Sequence, residues 1–158
     1  MSYLLDTNVL LRSIEAGSPQ QEAARQALER LAQGEEMLYI APQNLIEFWA
    51  VVTRPLAANG LGLTPAQALG EITRFEAAFT LTLDSNAVFE EWKRLVEIHN
   101  VIGLPCHDAR LVAIMRAQGI QNVLTFNAGD FRRYAASEGI TIVDPANVSE
   151  PAQNEGSA

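Results

Sequence analysis

Short apolar segments alternate with longer helix-forming segments along almost the whole chain. Segments of strand length occur at 2–5, 36–41, 80–83, 122–125 and 140–143. Because helices separate these strands, neighbouring strands are expected to run parallel and to be joined by right-handed crossovers. The pattern predicts an α/β fold in which a mostly parallel sheet is flanked by helices.

The helices are marked by apolar periodicity and by residues that start or stop a helix. The segment 18–34 predicts a helix with Ser18 as N-cap, Pro19 in the first turn and Gly34 as the stop. The segment 42–54 is apolar on almost all sides, so a buried helix is expected there. Further helices are expected at 64–79, 85–99, 106–119 and 129–139. One domain over residues 1–146 is predicted, and the small, polar residues 147–158 predict a disordered tail.

Composition limits the classes of protein to consider. A content of 48% hydrophobic and 19% charged residues is typical of a globular domain rather than a disordered chain. No apolar run approaches the roughly 20 residues of a membrane span, and the N-terminus lacks signal-peptide features, so a cytoplasmic protein is expected. The single cysteine, Cys106, excludes an internal disulfide and a thiolate metal cluster. The net charge of −8 disfavours a broad basic nucleic-acid surface, but bound divalent cations still allow a phosphodiester substrate.

Four carboxylates occupy apolar or strand-end positions, where an isolated charge is costly to desolvate. Asp6 follows the first strand and Asp130 follows the fourth, at the edge of a parallel sheet where ligands bind. Glu47 lies within the apolar helix, and Asp108 opens another helix. Magnesium and manganese prefer such hard oxygen ligands, so one divalent-metal site accounts for all four acids.

Each acid taken alone also has a structural explanation. These are a local turn for Asp6, an ion pair with Arg54 or Arg110 for Glu47, a helix cap or first-turn acid for Asp108, and the cap of a helix beginning at Phe131 for Asp130. Four neutral groups nearby are candidates to orient the carboxylates by hydrogen bonds: Thr7, Asn8, Thr125 and Asn127. Turn formation and helix capping remain the alternative explanation for these four.

The segments that carry the acids resemble the four motifs of the PIN-domain family. They read LLDTNVLL at the N-terminus, NLIEFWAVVTRP, HDARLVAIM and VLTFNAGDF, in that order. Within the family the chain is most similar to the VapC-type toxin ribonucleases of bacterial toxin–antitoxin pairs. The resemblance covers about residues 2–143.

The resemblance implies a five-stranded sheet of order 3-2-1-4-5 and a Mg²⁺ or Mn²⁺ site that hydrolyses single-stranded RNA. It makes Asp6 and Asp108 metal ligands, Glu47 a ligand or the base for the attacking water, and Asp130 a ligand of a second metal. Position 127 is acidic in part of the family and is Asn here, so the number of bound metal ions, one or two, remains open. A small antitoxin and a second copy of the chain are the implied partners.

Two other functions were compatible with the sequence. A haloacid-dehalogenase-like phosphohydrolase also begins with an acid at a strand end, but it needs an active-site lysine, and the only lysine is Lys93 in the middle of a helix. A non-catalytic PIN-like interaction module would be favoured by the loss of one or more acids, and none is lost.

Overall fold

A five-stranded parallel sheet lies at the centre of residues 1–152, the part of the chain that this computed structural model describes. The strand order β3-β2-β1-β4-β5 confirms the predicted 3-2-1-4-5 topology. The strands are β1 (Ser2–Leu5), β2 (Met37–Ile40), β3 (Thr80–Leu81), β4 (Asn122–Leu124) and β5 (Thr141–Val143). The order reverses between β1 and β4, so ligands are expected beyond the carboxyl ends of these two strands.

Helices cover both faces of the sheet within the described residues. They are α1 (Thr7–Ile14), α2 (Gln21–Gln33), α3 (Pro42–Val52), α4 (Pro65–Ala78), α5 (Asn86–Ile98), α6 (Cys106–Gln118) and α7 (Ala128–Glu138). Successive residues of a strand face opposite sides, so Tyr3 and Leu5 pack with α1 to α4 while Leu4 packs with α5 to α7. None of the helices in residues 1–152 is both long and apolar enough to cross a membrane.

The N-terminal part of the helical pattern differs from the expectation. The helix α1 was not predicted; it begins directly after Asp6 with no linker. The next helix starts at Gln21, so Ser18 is not its N-cap. The Ser18 hydroxyl instead accepts a hydrogen bond from the Gln20 amide at 3.3 Å, and this local turn precedes the helix.

Two further expectations need correction. The helix α3 is not buried on all sides, because Ile46 is 69% exposed. The chain also stays packed beyond residue 147: Val148 is buried in the core, and its carbonyl accepts a hydrogen bond from Arg30 of α2 at 2.9 Å. The predicted disordered tail therefore does not begin at residue 147, and the rest of that prediction, for residues 153–158, falls outside the described part of the chain.

Candidate active site

Asp6 lies where β1 ends and α1 begins. Its amide donates to the Leu124 carbonyl at 3.0 Å, which extends the pairing of β1 with β4 as far as this residue. The carboxylate caps α1 by accepting from the Thr7 amide at 2.8 Å, and it also accepts from the Thr125 hydroxyl at 2.7 Å and the Asn8 amide group at 3.0 Å. The side chain is held in one orientation by these three donors.

Glu47 lies on α3 and faces the same edge of the sheet. Its carboxylate accepts from the Thr7 hydroxyl and from the Gln43 amide group, both at 2.8 Å. Glu47 makes no ion pair with an Arg or Lys among the residues described; Arg110 pairs with Asp84 instead, at 2.6 Å. The ion-pair explanation of Glu47 is therefore wrong, and its carboxylate faces Thr7 beside Asp6.

Asp108 and Asp130 occupy equivalent positions in two helices, since each is the third residue of its own helix. Asp130 is not the cap of a helix beginning at Phe131, because α7 already begins at Ala128 with Asn127 in the cap position. Partial positive charge at a helix N-terminus favours a nearby carboxylate. With Asp6 at the start of α1, three helix N-termini each place one acid at this edge of the sheet.

The pKa values show that the four carboxylates interact. Burial raises the pKa of Asp6 to about 6; hydrogen bonds from Thr125 and Thr7 oppose the rise, and the charges of Glu47 and Asp130 add to it. Burial is also the main reason that the pKa of Asp108 is raised to about 7, followed by the charges of Asp130, Asp6 and Glu47. Asp108 therefore ionises against the charges of the other three acids.

The four neutral groups expected to orient the acids do not all do so. Thr7, Asn8 and Thr125 each donate a hydrogen bond to a carboxylate of the group. Asn127 contributes only its backbone amide, which donates to the Thr125 hydroxyl at 3.0 Å, among the contacts the structure describes. It occupies the N-cap position of α7, but its side chain makes no capping hydrogen bond there.

Sequence reasoning missed two polar residues of α3. Asn44 donates to the Thr7 hydroxyl at 3.2 Å, and Gln43 connects Glu47 to the His107 carbonyl, each at 2.8 Å. Gln43 is four residues before Glu47, so the two side chains share one helix face. That spacing, together with their location on a helix with few other polar residues, was a signal that pointed to Gln43.

The set of donors fits a hard divalent cation, because it consists of carboxylate oxygens whose mutual repulsion a cation relieves. Within residues 1–152, however, no three or more His, Cys, Asp or Glu side chains are arranged so that together they could hold a metal ion. Magnesium is compatible with that arrangement, since it commonly keeps several waters and takes only one or two protein carboxylates.

The chain belongs to the PIN domain family, whose model matches residues 3–137. Several solved structures share the fold. One is VapBC2 from Rickettsia felis bound to a promoter DNA fragment, which is 18% identical to this chain and has a TM-score of 0.68. The match covers 91% of this chain and 98% of that chain. VapBC-1 from nontypeable Haemophilus influenzae has 15% identity, coverages of 92% and 98%, and a TM-score of 0.65. The sarcin-ricin-loop-cleaving toxin VapC20 from Mycobacterium tuberculosis has 17% identity, coverages of 88% and 98%, and a TM-score of 0.62.

No curated protein matches the chain. Identities below 20% with the solved structures establish a common fold and nothing finer. Membership of the PIN family shows that the haloacid-dehalogenase alternative was wrong. In agreement, Lys93 lies on α5, where it pairs with Glu90 at 2.9 Å and its side chain is 49% exposed.

Proposed function

We propose that this protein is a metal-dependent endoribonuclease and the toxin of a toxin–antitoxin pair. The observation that carries the proposal is the group of four acids, each interacting electrostatically with others across the edge where β1 and β4 end. Structural neighbours that are toxins or toxin–antitoxin complexes, one of them cleaving the sarcin-ricin loop, support the same function.

In this proposal Asp6 and Asp108 hold Mg²⁺ or Mn²⁺, Glu47 is a further ligand or the base for the attacking water, and Asp130 belongs to a second metal site. The ion would neutralise charge on the phosphodiester and lower the pKa of a water molecule. Thr125 and Asn8 fix the orientation of the Asp6 carboxylate. The Thr7 hydroxyl donates to Glu47, and its amide donates to Asp6, so a single residue sets the spacing of two acids.

The proposal is tested with purified protein and single-stranded RNA in magnesium, manganese or EDTA. Cleavage is expected in either metal and its loss in EDTA; cleavage that continues undiminished in EDTA rules out the metal mechanism. Asp108→Asn is expected to reduce the rate roughly a hundredfold, since losing ~3 kcal/mol of transition-state stabilisation has that effect. Glu76→Gln, which removes an exposed acid on α4, is the matched control and should retain activity.

The partner proposed for this toxin is a small antitoxin whose C-terminal segment carries Arg or Lys. A cation of that kind is complementary to the acidic site and competes with metal for its carboxylates. A groove between α1, α2 and α4 suits the apolar part of the segment, with a cavity of about 670 Å³ lined by Ile14, Leu28, Phe75 and Phe79 among others. It lies beside the C-terminal end of α1, an eight-residue helix about 12 Å long whose opposite end holds Asp6.

Inhibition by the antitoxin separates direct insertion from binding elsewhere. If the segment inserts a cation among the acids, replacing its Arg residues by Ala should weaken inhibition of RNA cleavage even when the complex still forms. Arg-to-Ala variants that inhibit as well as the parent would show that the site is blocked in another way.

A homodimer is also proposed for the protein in solution. The family resemblance and the apolar side chains exposed on several helices support an interface between two copies; Ile46 on α3, which is 69% exposed, is one of these side chains. Sedimentation velocity should give the mass of two chains. Ile46→Glu should shift the protein toward a monomer. If the variant keeps the mass of two chains, the interface does not include Ile46.

A further inference from the structure

A second feature lies next to the acids: a cavity of about 360 Å³ between α5 and α6. This volume is in the range of small-molecule sites, and most of the lining is apolar. The lining residues that matter below are Phe89, Trp92, Cys106, His107 and Arg110.

Two aromatic residues of α5 form one wall. Phe89 and Trp92 are three residues apart and stack with ring centroids 5.8 Å apart and planes inclined by only 16°. The Trp92 indole donates to the Cys106 carbonyl at 2.9 Å, which fixes its ring against α6. Phe89 is 59% exposed, and the Lys93 ammonium lies 5.0 Å from its centroid. The wall is thus an aromatic surface that is already positioned and still accessible.

The cavity is linked to the acidic site through His107 and Gln43. His107 lines the cavity and directly precedes Asp108. The Gln43 amide group donates to the His107 carbonyl and to Glu47, both at 2.8 Å, and its oxygen accepts from Arg110 at 3.0 Å. A ligand in the cavity would therefore lie one hydrogen-bonded residue away from a carboxylate of the acidic group.

We infer that this cavity binds an unpaired nucleobase of the RNA, next to the phosphodiester held at the acids; the inference rests on the proposed function. A chain with net charge −8 and 11 basic residues has few cations for contacting phosphates. Stacking of a base on an aromatic side chain does not depend on charge and tolerates any base. The aromatic wall supplies the affinity for single-stranded RNA that the charge of this protein does not.

The first test uses Cys106 as a reporter, because it is the only cysteine in the chain and it lines the cavity. Alkylation of its thiol by iodoacetamide is followed by mass spectrometry in EDTA, with no RNA cleavage involved. Millimolar adenosine or uridine monophosphate should slow alkylation, and ribose 5-phosphate should not. Equal protection by ribose 5-phosphate, or no protection by either nucleotide, overturns the base pocket. Because no catalysis is measured, this result is independent of whether the protein is a nuclease.

The second test uses substitutions at Phe89. Phe89→Ala should raise KM for a short single-stranded RNA about tenfold, as expected from losing one stacked base, with kcat nearly unchanged, while Phe89→Trp should keep KM close to the parent value. Ile98→Ala is the matched control, since Ile98 is 56% exposed on the same helix and does not line the cavity. An unchanged KM in Phe89→Ala contradicts the inference. A dimer that dissociates in Phe89→Ala would show that a second copy of the chain occupies the cavity, which also overturns it.

Discussion

Replacing Asp108 by Asn should make the metal-free protein more stable at neutral pH while strongly reducing the rate of RNA cleavage. The pKa of Asp108 rises from 3.8 to about 7 on folding, so ionised Asp108 destabilises the folded state. A rise of this size in the pKa corresponds to about 4 kcal/mol of unfolding free energy. We expect the Asn variant to gain roughly half of that, about 2 kcal/mol, because the carboxylate is partly exposed and solvent screens its charge. For a domain of this size the melting temperature should rise by about 4–8 °C.

The pH dependence has a defined sign. Because the pKa of Asp108 is raised on folding, its protonated carboxyl group contributes to the free energy of unfolding. This contribution is complete below pH 3.8 and is lost as the pH rises toward 7. The advantage of Asp108→Asn over the parent should therefore be about a third of its full value at pH 5 and complete at pH 7.5. The pKa of Asp6 is also raised, so the contribution of its protonated form to protein stability should likewise be lost as the pH rises to about 6.

Thermal melts in EDTA at pH 5 and pH 7.5 measure these differences, and Glu76→Gln controls for the loss of one negative charge from an acidic protein. Magnesium should then raise the melting temperature of the parent by mass action and that of Asp108→Asn much less. If Asp108→Asn is less stable than the parent in EDTA at pH 7.5, Asp108 is a structural hydrogen-bonding group and the electrostatic explanation of the site is wrong.

Three other substitutions, measured by urea unfolding, test contacts that hold the fold together. Thr125→Val removes a buried donor to Asp6 and should cost about 1–3 kcal/mol; an unchanged midpoint would show that the hydrogen bond does not stabilise the fold. Gly60→Ala should be strongly destabilising, because the new Cβ would lie 1.9 Å from the Arg54 carbonyl oxygen, whereas Gly70→Ala has open space on a helix and should gain about 0.5–1 kcal/mol. Equal midpoints for the two glycine variants would contradict the close approach at Gly60.

Much of the architecture was predictable because its signals are local. Helix α4 illustrates this: a helix was expected at 64–79, and the structure has it at Pro65–Ala78 with Thr64 as its N-cap, whose hydroxyl accepts from the Gln67 amide at 3.2 Å. The strand order, in contrast, came from the family resemblance, since β1 pairs with β4 across more than a hundred residues. No local pattern specifies such a pairing.

The helix α1 was missed for a physical reason. Asp6 ends a strand and caps a helix at once, so no turn residue separates the two elements. The four acids were found from sequence because a charge in apolar surroundings needs an explanation, and Thr7, Asn8 and Thr125 because they lie close to these acids in the sequence. Gln43 and Asn44 are neutral and fit many positions; the four-residue spacing from Glu47 pointed to Gln43, whereas the contact of Asn44 with Thr7 is seen only in the folded structure.

The separation of Asp6 from Thr125, 119 residues along the chain, has a consequence for biosynthesis. Asp6 leaves the ribosome well before β4, the strand that positions it, because more than a hundred residues separate the two. A growing or prematurely terminated chain that ends before β4 lacks both Thr125 and Asp130. The acids of such a fragment are never brought together, so the cell meets the complete site only in chains whose synthesis has passed Asp130.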